Sequence, residues 1–119
     1  MNFKLAKVTL FALLLIINGE TFSQEKVWIE GSWLLTLDPD NDTQDEIQFL
    51  TGGRFKTTEV SSSKSLDGRY SLEKESVKID LFHEGQVFYT LTLTYDEKRD
   101  KLYYYSEETG NTSYYTRSN

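Results

Sequence analysis

A hydrophobic period of two constrains this chain more than any other feature. Between residues 86 and 95, Val87, Tyr89, Leu91, Leu93 and Tyr95 alternate with Phe88, Thr90, Thr92 and Thr94. One face is apolar and the other is rich in threonine, as in a half-buried strand. Just upstream, Val77, Ile79 and Leu81 alternate with Lys78 and Asp80. Helical periodicity is nearly absent. Eight short strands are expected, over about 27–37, 45–50, 54–60, 68–74, 76–82, 86–95, 101–106 and 113–117.

Parity across the turns sets the expected registers. A two-residue turn at Glu84-Gly85 would put the apolar sets of strands five and six on opposite faces. A three-residue loop, His83-Glu84-Gly85, pairs Leu81 with Val87 and Ile79 with Tyr89, with Gly85 left-handed beside a bulge. The same arithmetic at Thr51-Gly52-Gly53 pairs Phe49 with Phe55. The inward set then comprises Trp33, Leu35, Leu37, Ile47, Phe49, Phe55, Tyr70, Leu72, Val77, Ile79, Leu81, Val87, Tyr89, Leu91, Leu93, Leu102, Tyr104 and Tyr115.

The fold class this implies is all-β: a small up-and-down antiparallel barrel of about eight strands, closed so that no edge is left open. Gly31-Ser32-Trp33 opens the first strand and Arg117 lies in the last. A glycine lets the backbone pass close to an indole, and an arginine can cover that indole, so Trp33 and Arg117 are expected to form a structural cap where first and last strands meet. An outer-membrane barrel would need an apolar outer face. Here that face carries Thr36, Lys78, Asp80, Thr90 and Thr92.

The first 23 residues are expected to be a signal peptide. Lys4 and Lys7 precede an apolar run, Val8 to Ile17, and Thr21 and Ser23 suit cleavage before Gln24. That run is about half the length of a membrane helix, so no stable membrane anchor is expected. The domain is then 24–119, secreted or periplasmic. The sequence has no cysteine, hence no disulfide and no lipidated N-terminal Cys. Taking Lys4, Lys7 and Glu20 away with the leader leaves 11 basic and 18 acidic residues, a formal charge of −7. Such a domain repels phosphate backbones, so nucleic acid is not an expected partner.

The ordered set Gly31-Ser32-Trp33-Leu34-Leu35, Phe49-Leu50-Thr51-Gly52-Gly53-Arg54-Phe55, Gly68-Arg69-Tyr70-Ser71-Leu72 and Tyr114-Tyr115-Thr116-Arg117 resembles the calycin pattern, in particular the short bacterial lipocalin-like domains. The resemblance implies an up-and-down barrel with Trp33 at its closed end, packed by Arg117. It also implies either a small hydrophobic ligand inside or action on proteins through the outer surface. The chain is shorter than the full-size lipocalins and shows no helix pattern after its last strand.

Other candidate chemistry is sparse. Asp38-Pro39-Asp40-Asn41-Asp42-Thr43-Gln44-Asp45-Glu46 places carboxylates at alternating positions, as a calcium loop does, but an EF-hand would need Gly and Glu where Thr43 and Phe49 stand. A solvated acidic connection is the simpler reading, with Asp38, Asp40, Asp42 and Asp45 the ligands of any looser site; no metal or cofactor is assigned. His83, the only histidine, falls in a turn and has no Cys or evident triad partner. Paired inward carboxylates are not evident, Glu59 and Glu73 being the open cases of strand parity. The sequence is therefore read as non-enzymatic. Tyr103, Tyr104, Tyr105, Tyr114 and Tyr115 crowd the last two strands, as a cross-strand ladder or as an exposed recognition patch.

The expected function is binding of a small hydrophobic or amphipathic molecule in the barrel interior, against Phe49, Phe55, Tyr70, Leu72, Ile79, Tyr89 and Tyr104. The alternative is a packed barrel without a cavity that binds a protein partner, as an inhibitor or immunity-type module does. An aromatic content of 14% favours it, because dense packing leaves little empty volume in so short a barrel.

Overall fold

The structure, a computed structural model, describes residues 27–118; the leader expected over residues 1–23 lies outside the described residues. Eight antiparallel strands form one closed ring: β1 Gly31–Leu37, β2 Asp45–Phe49, β3 Arg54–Glu59, β4 Ser65–Leu72, β5 Ser76–His83, β6 Gln86–Thr94, β7 Lys101–Tyr105 and β8 Thr112–Ser118. Each strand pairs with the next, and β8 returns to β1 with Trp33 opposite Arg117. Among the described residues no helix is long and apolar enough to cross a membrane.

The ends of the barrel differ because antiparallel strands bring alternate termini together. The start of β1, the end of β2 and the start of β5 converge on one end. There Trp33, Phe49, Val77, Ile79, Leu93 and Leu102 are almost wholly inaccessible. Burying one such aliphatic or aromatic side chain stabilises the fold by roughly 1.5–3 kcal/mol.

Residues 27–30, expected as strand, instead turn beneath this end. The Glu30 amide donates to the Val27 carbonyl at 3.0 Å, and the turn tucks Ile29 into the core as a plug. Gly31, at φ +125°, supplies a backbone angle that L-residues rarely adopt. Trp28 in the turn meets Tyr95 edge-on with ring centroids 4.8 Å apart, and the Arg99 guanidinium lies 4.9 Å from a Trp28 ring centre.

The two hairpin expectations fare differently. Phe49 pairs with Phe55 across the Thr51–Gly53 turn, as parity requires. At the β5–β6 hairpin the turn is the two-residue Glu84-Gly85 after all, both residues at positive φ, with His83 opposite Gln86. Left-handed angles at both positions match the twist of the flanking strands. The parity conflict is resolved inside β6. Phe82 pairs with Val87 and Leu81 with Tyr89, so Phe88 is an extra residue, a β-bulge. Ile79 consequently faces Leu91, and Val87 leaves the inward face with half its surface exposed. β4 begins earlier than expected, at Ser65, because Ser65 and Leu66 pair with Thr58 and Thr57.

One seam is weak. β6 and β7 share a single ladder pair, Thr94 with Tyr103, and splay apart from there toward the open end.

Candidate functional site

The closed end is filled. Phe49 packs edge-on against Phe55 and Tyr70 at centroid distances of 5.1 and 4.9 Å, and the Tyr70 hydroxyl reaches the Leu50 carbonyl at 3.4 Å. The Arg117 guanidinium carbon lies 4.4 Å from a Trp33 ring centre. The same guanidinium donates to the carbonyls of Glu30, at 3.0 Å, and of Trp28, while the Trp33 indole N–H donates to the Ile29 carbonyl at 3.0 Å. This cap anchors the plugging turn to the last strand.

The open half is not filled. Above Ile79 and Leu93 lies a cavity of about 160 Å³, walled by Ile47, Phe55, Leu81, Tyr89 and Leu91. A neighbouring compartment of about 180 Å³ includes Leu35, Asp38, Asp42, Tyr104 and Ser113. The two share Asp45, Tyr89, Leu91 and Tyr115. Each alone is smaller than the roughly 300 Å³ common for ligand sites, and they adjoin along those four shared residues. Asp45 and Thr57 also line an open hollow of about 600 Å³ beside Glu59, Lys64 and Leu66, which forms the mouth.

Asp45 is the hinge of this arrangement. It opens β2, opposite Glu59 of β3, and its side chain faces inward like those of Ile47 and Phe49. The Tyr115 hydroxyl lies 3.1 and 3.2 Å from the two carboxylate oxygens, and the Thr57 hydroxyl donates to one of them at 2.9 Å. Burial pushes the Asp45 carboxyl above its ordinary range; both hydrogen bonds oppose that rise and the Asp38 charge adds to it. Tyr115 is held as a protonated donor, chiefly by burial and then by the Asp45 charge. Tyr104 is pushed up to about 12, first by its hydrogen bond with Tyr89.

Of the residues expected to hold a ligand, Phe55, Ile79 and Tyr89 meet in the inner compartment, and Tyr104 joins Tyr89 in the second. Phe49 and Tyr70 line neither, because the ends of β2 and β4 run toward the closed base, where these rings pack on each other. Leu72 also lines neither; it ends β4 opposite Val77 and is 37% exposed. Asp45, Thr57 and Tyr115 were not among the expected ligand contacts. The usable signal was parity, since Asp45 shares the odd register of Ile47 and Phe49.

The other candidates have local roles. Asp38 accepts from the amides of Asp40 and Asp42 at 3.1 and 2.7 Å. Asp40 accepts from Thr109 and Asn111 at 2.9 and 2.6 Å, tying the β1–β2 loop to the β7–β8 loop. The three carboxylates of Asp38, Asp40 and Asp42 cluster at the surface, and Asp45 points away from them into the barrel. His83, expected in the turn, instead ends β5 opposite Gln86, exposed and 3.8 Å from Glu84.

No protein-family model, curated protein or solved structure matches the chain.

Proposed function

We propose that the protein is an exported, lipocalin-like binding protein that holds a small amphipathic molecule in the open half of its barrel and catalyses no reaction. The observation that carries this reading is the pair of contiguous interior compartments. The inner one is walled mainly by apolar side chains, the outer one adds Asp38, Asp42, Thr43 and Ser113, and Asp45, Tyr89 and Tyr115 stand where the two meet. Burial of an apolar body against Phe55, Ile79 and Leu91 would supply affinity, and the few polar groups would fix orientation. The filled base supports the reading too, since a rigid closed end confines the ligand to the mouth side.

Native mass spectrometry of the protein purified from its host's exported fraction tests it. A retained small-molecule mass that disappears on organic extraction is the expected result. A clean apo mass over repeated preparations would overturn it.

One observation favours a second reading. β6 lacks a ladder partner on its β7 side from Gln86 to Leu93, carries no charge over Gln86–Thr94, and exposes about half of Val87, Phe88 and Tyr89. Under this reading an extended segment of another protein adds a strand to that edge. A clean apo mass together with a β6-mapped protein partner would select it.

A further inference from the structure

We propose that the molecule held in the open half of the barrel carries a protonated amine, and that the Asp45 carboxylate is its counter-ion. This rests on the ligand-binding reading above and names the chemistry of the ligand's polar end.

Asp45 sits where the two interior compartments and the mouth meet, and it lines all three. Its surroundings are those of an ion-pair site missing one partner. Two neutral hydroxyls, from Thr57 and Tyr115, hold the carboxylate in place. No cation does so: among the described residues the ion pairs are His83 with Glu84 and Lys101 with Asp100, neither of which lines the cavity. A carboxylate has about four lone-pair positions, so two donors leave room for an ammonium. A buried charge without an opposite charge is costly, and burial does raise the carboxyl's proton affinity here. An incoming cation removes that cost.

The surrounding charge points the same way. Asp38 and Asp42 line the upper compartment and Glu59 lines the mouth, against the single cation Lys64. The whole chain carries a formal charge of −6. A fatty acid or other anion would bring its charge against four carboxylates, whereas a cation is steered inward. Below Asp45 the walls are hydrocarbon and aromatic, which suits the apolar remainder of an arylalkyl or alkyl amine. Tyr89 and Tyr115 offer ring faces or edges near the same point.

The purely structural alternative is that Asp45 only bolts β2, β3 and β8 together through Thr57 and Tyr115. A neutral amide oxygen could accept from both hydroxyls, though more weakly, and those bonds give no reason for a cavity to open at the carboxylate.

The test uses three probes of nearly equal size: 2-phenylethylamine, 2-phenylethanol and 3-phenylpropanoate. Each is titrated into the chain, expressed with its native N-terminus, and read by backbone amide shifts. The amine is expected to saturate the resonances of Asp45, Leu91 and Tyr115 with an affinity about tenfold or more above that of the alcohol, and the carboxylate to bind weakest. In Asp45→Asn the amine should fall to the level of the alcohol, whose own affinity stays unchanged. Asp45→Ser, a second neutral replacement, should abolish the preference for the amine in the same way, so the test does not depend on one variant folding. Equal binding of all three probes, or a preference surviving in Asp45→Asn, would overturn the counter-ion and leave the ligand-binding reading standing. If none of the three perturbs the cavity residues, that reading fails and this one with it.

Discussion

Tyr115 of the closing strand donates its hydroxyl to the carboxylate of Asp45, the first residue of β2, with the two oxygens at 3.1 and 3.2 Å. Seventy residues of chain separate the pair. The contact therefore reports barrel closure and site geometry at once. Tyr115→Phe should lose a charge-assisted hydrogen bond worth roughly 1.5–3 kcal/mol, lower the melting temperature, and raise the Asp45 carboxyl further. Thermal melts and a carboxyl-carbon NMR titration check both effects; an unchanged melting temperature with an unchanged carboxyl titration would show that the contact carries no energy.

The Asp45 carboxyl titrates above its ordinary value of 3.8, first because burial strips it of water. The folded state thus holds this proton more tightly than the unfolded chain does. Its stabilising contribution is complete below the unfolded value and is lost as pH rises through the raised, folded one. Asp45→Asn keeps an acceptor for the hydroxyls and carries no charge. At pH 7 it should be more stable than the parent by about 0.5–2 kcal/mol, a common yield when a site's electrostatic cost is removed. Melts at descending pH should show that advantage shrinking toward 3.8. A variant less stable at neutral pH would assign Asp45 a structural role.

Arg117 stacks on the fully buried Trp33 ring and donates to two carbonyls of the 27–30 turn. Arg117→Ala should cost about 1–3 kcal/mol, with Trp28 and Trp33 fluorescence reporting a loosened base. Arg117→Lys should recover only part of this, since an ammonium cannot stack and fork together. Full rescue by Lys would mean that charge alone matters there.

Gly68 faces Leu81 in the β4–β5 ladder, and a methyl group there would lie 2.3 Å from the Asp80 carbonyl oxygen. That carbonyl is backbone and cannot swing aside, so the strands themselves must part. Gly68→Ala should destabilise by about 1–3 kcal/mol, as overpacking does elsewhere. Denaturant melts decide; a neutral substitution would show that β4 and β5 are free to separate.

The seam between β6 and β7 should be the softest part of the ring, because one ladder pair joins the two strands. In hydrogen exchange, amides of β6 that point toward β7 should exchange far faster than those bonded to β5. Uniform protection along β6 would mean that the seam is zipped in solution.

Much of this architecture is legible in the chain, and the exceptions have identifiable causes. Phe49 opposite Phe55 follows from parity because the Thr51–Gly53 turn is the only way to align the two rings. The β5–β6 hairpin departs from the expected three-residue loop. A three-residue loop and a two-residue turn with a bulge at Phe88 restore the same inward face, and the alternation cannot distinguish them. Residues 27–30 continue the apolar run of β1, so only the backbone angle at Gly31 reveals that they turn. Asp45 was hidden by its neighbours. It stands next to last in a run of carboxylates that reads as one solvated loop, although strand parity points it inward beside Ile47. Whether an interior is full or hollow depends on where along each strand the large rings fall, and here they gather at the base.

The measurement that tests the central claim most directly is a crystal structure of the protein purified from its host without organic extraction. The account predicts continuous density for a bound molecule between Asp45 and Phe55, against Ile79 and Leu91. Compartments closed by inward-rotated Tyr89 and Tyr115 side chains, with no density beyond ordered water, would contradict it.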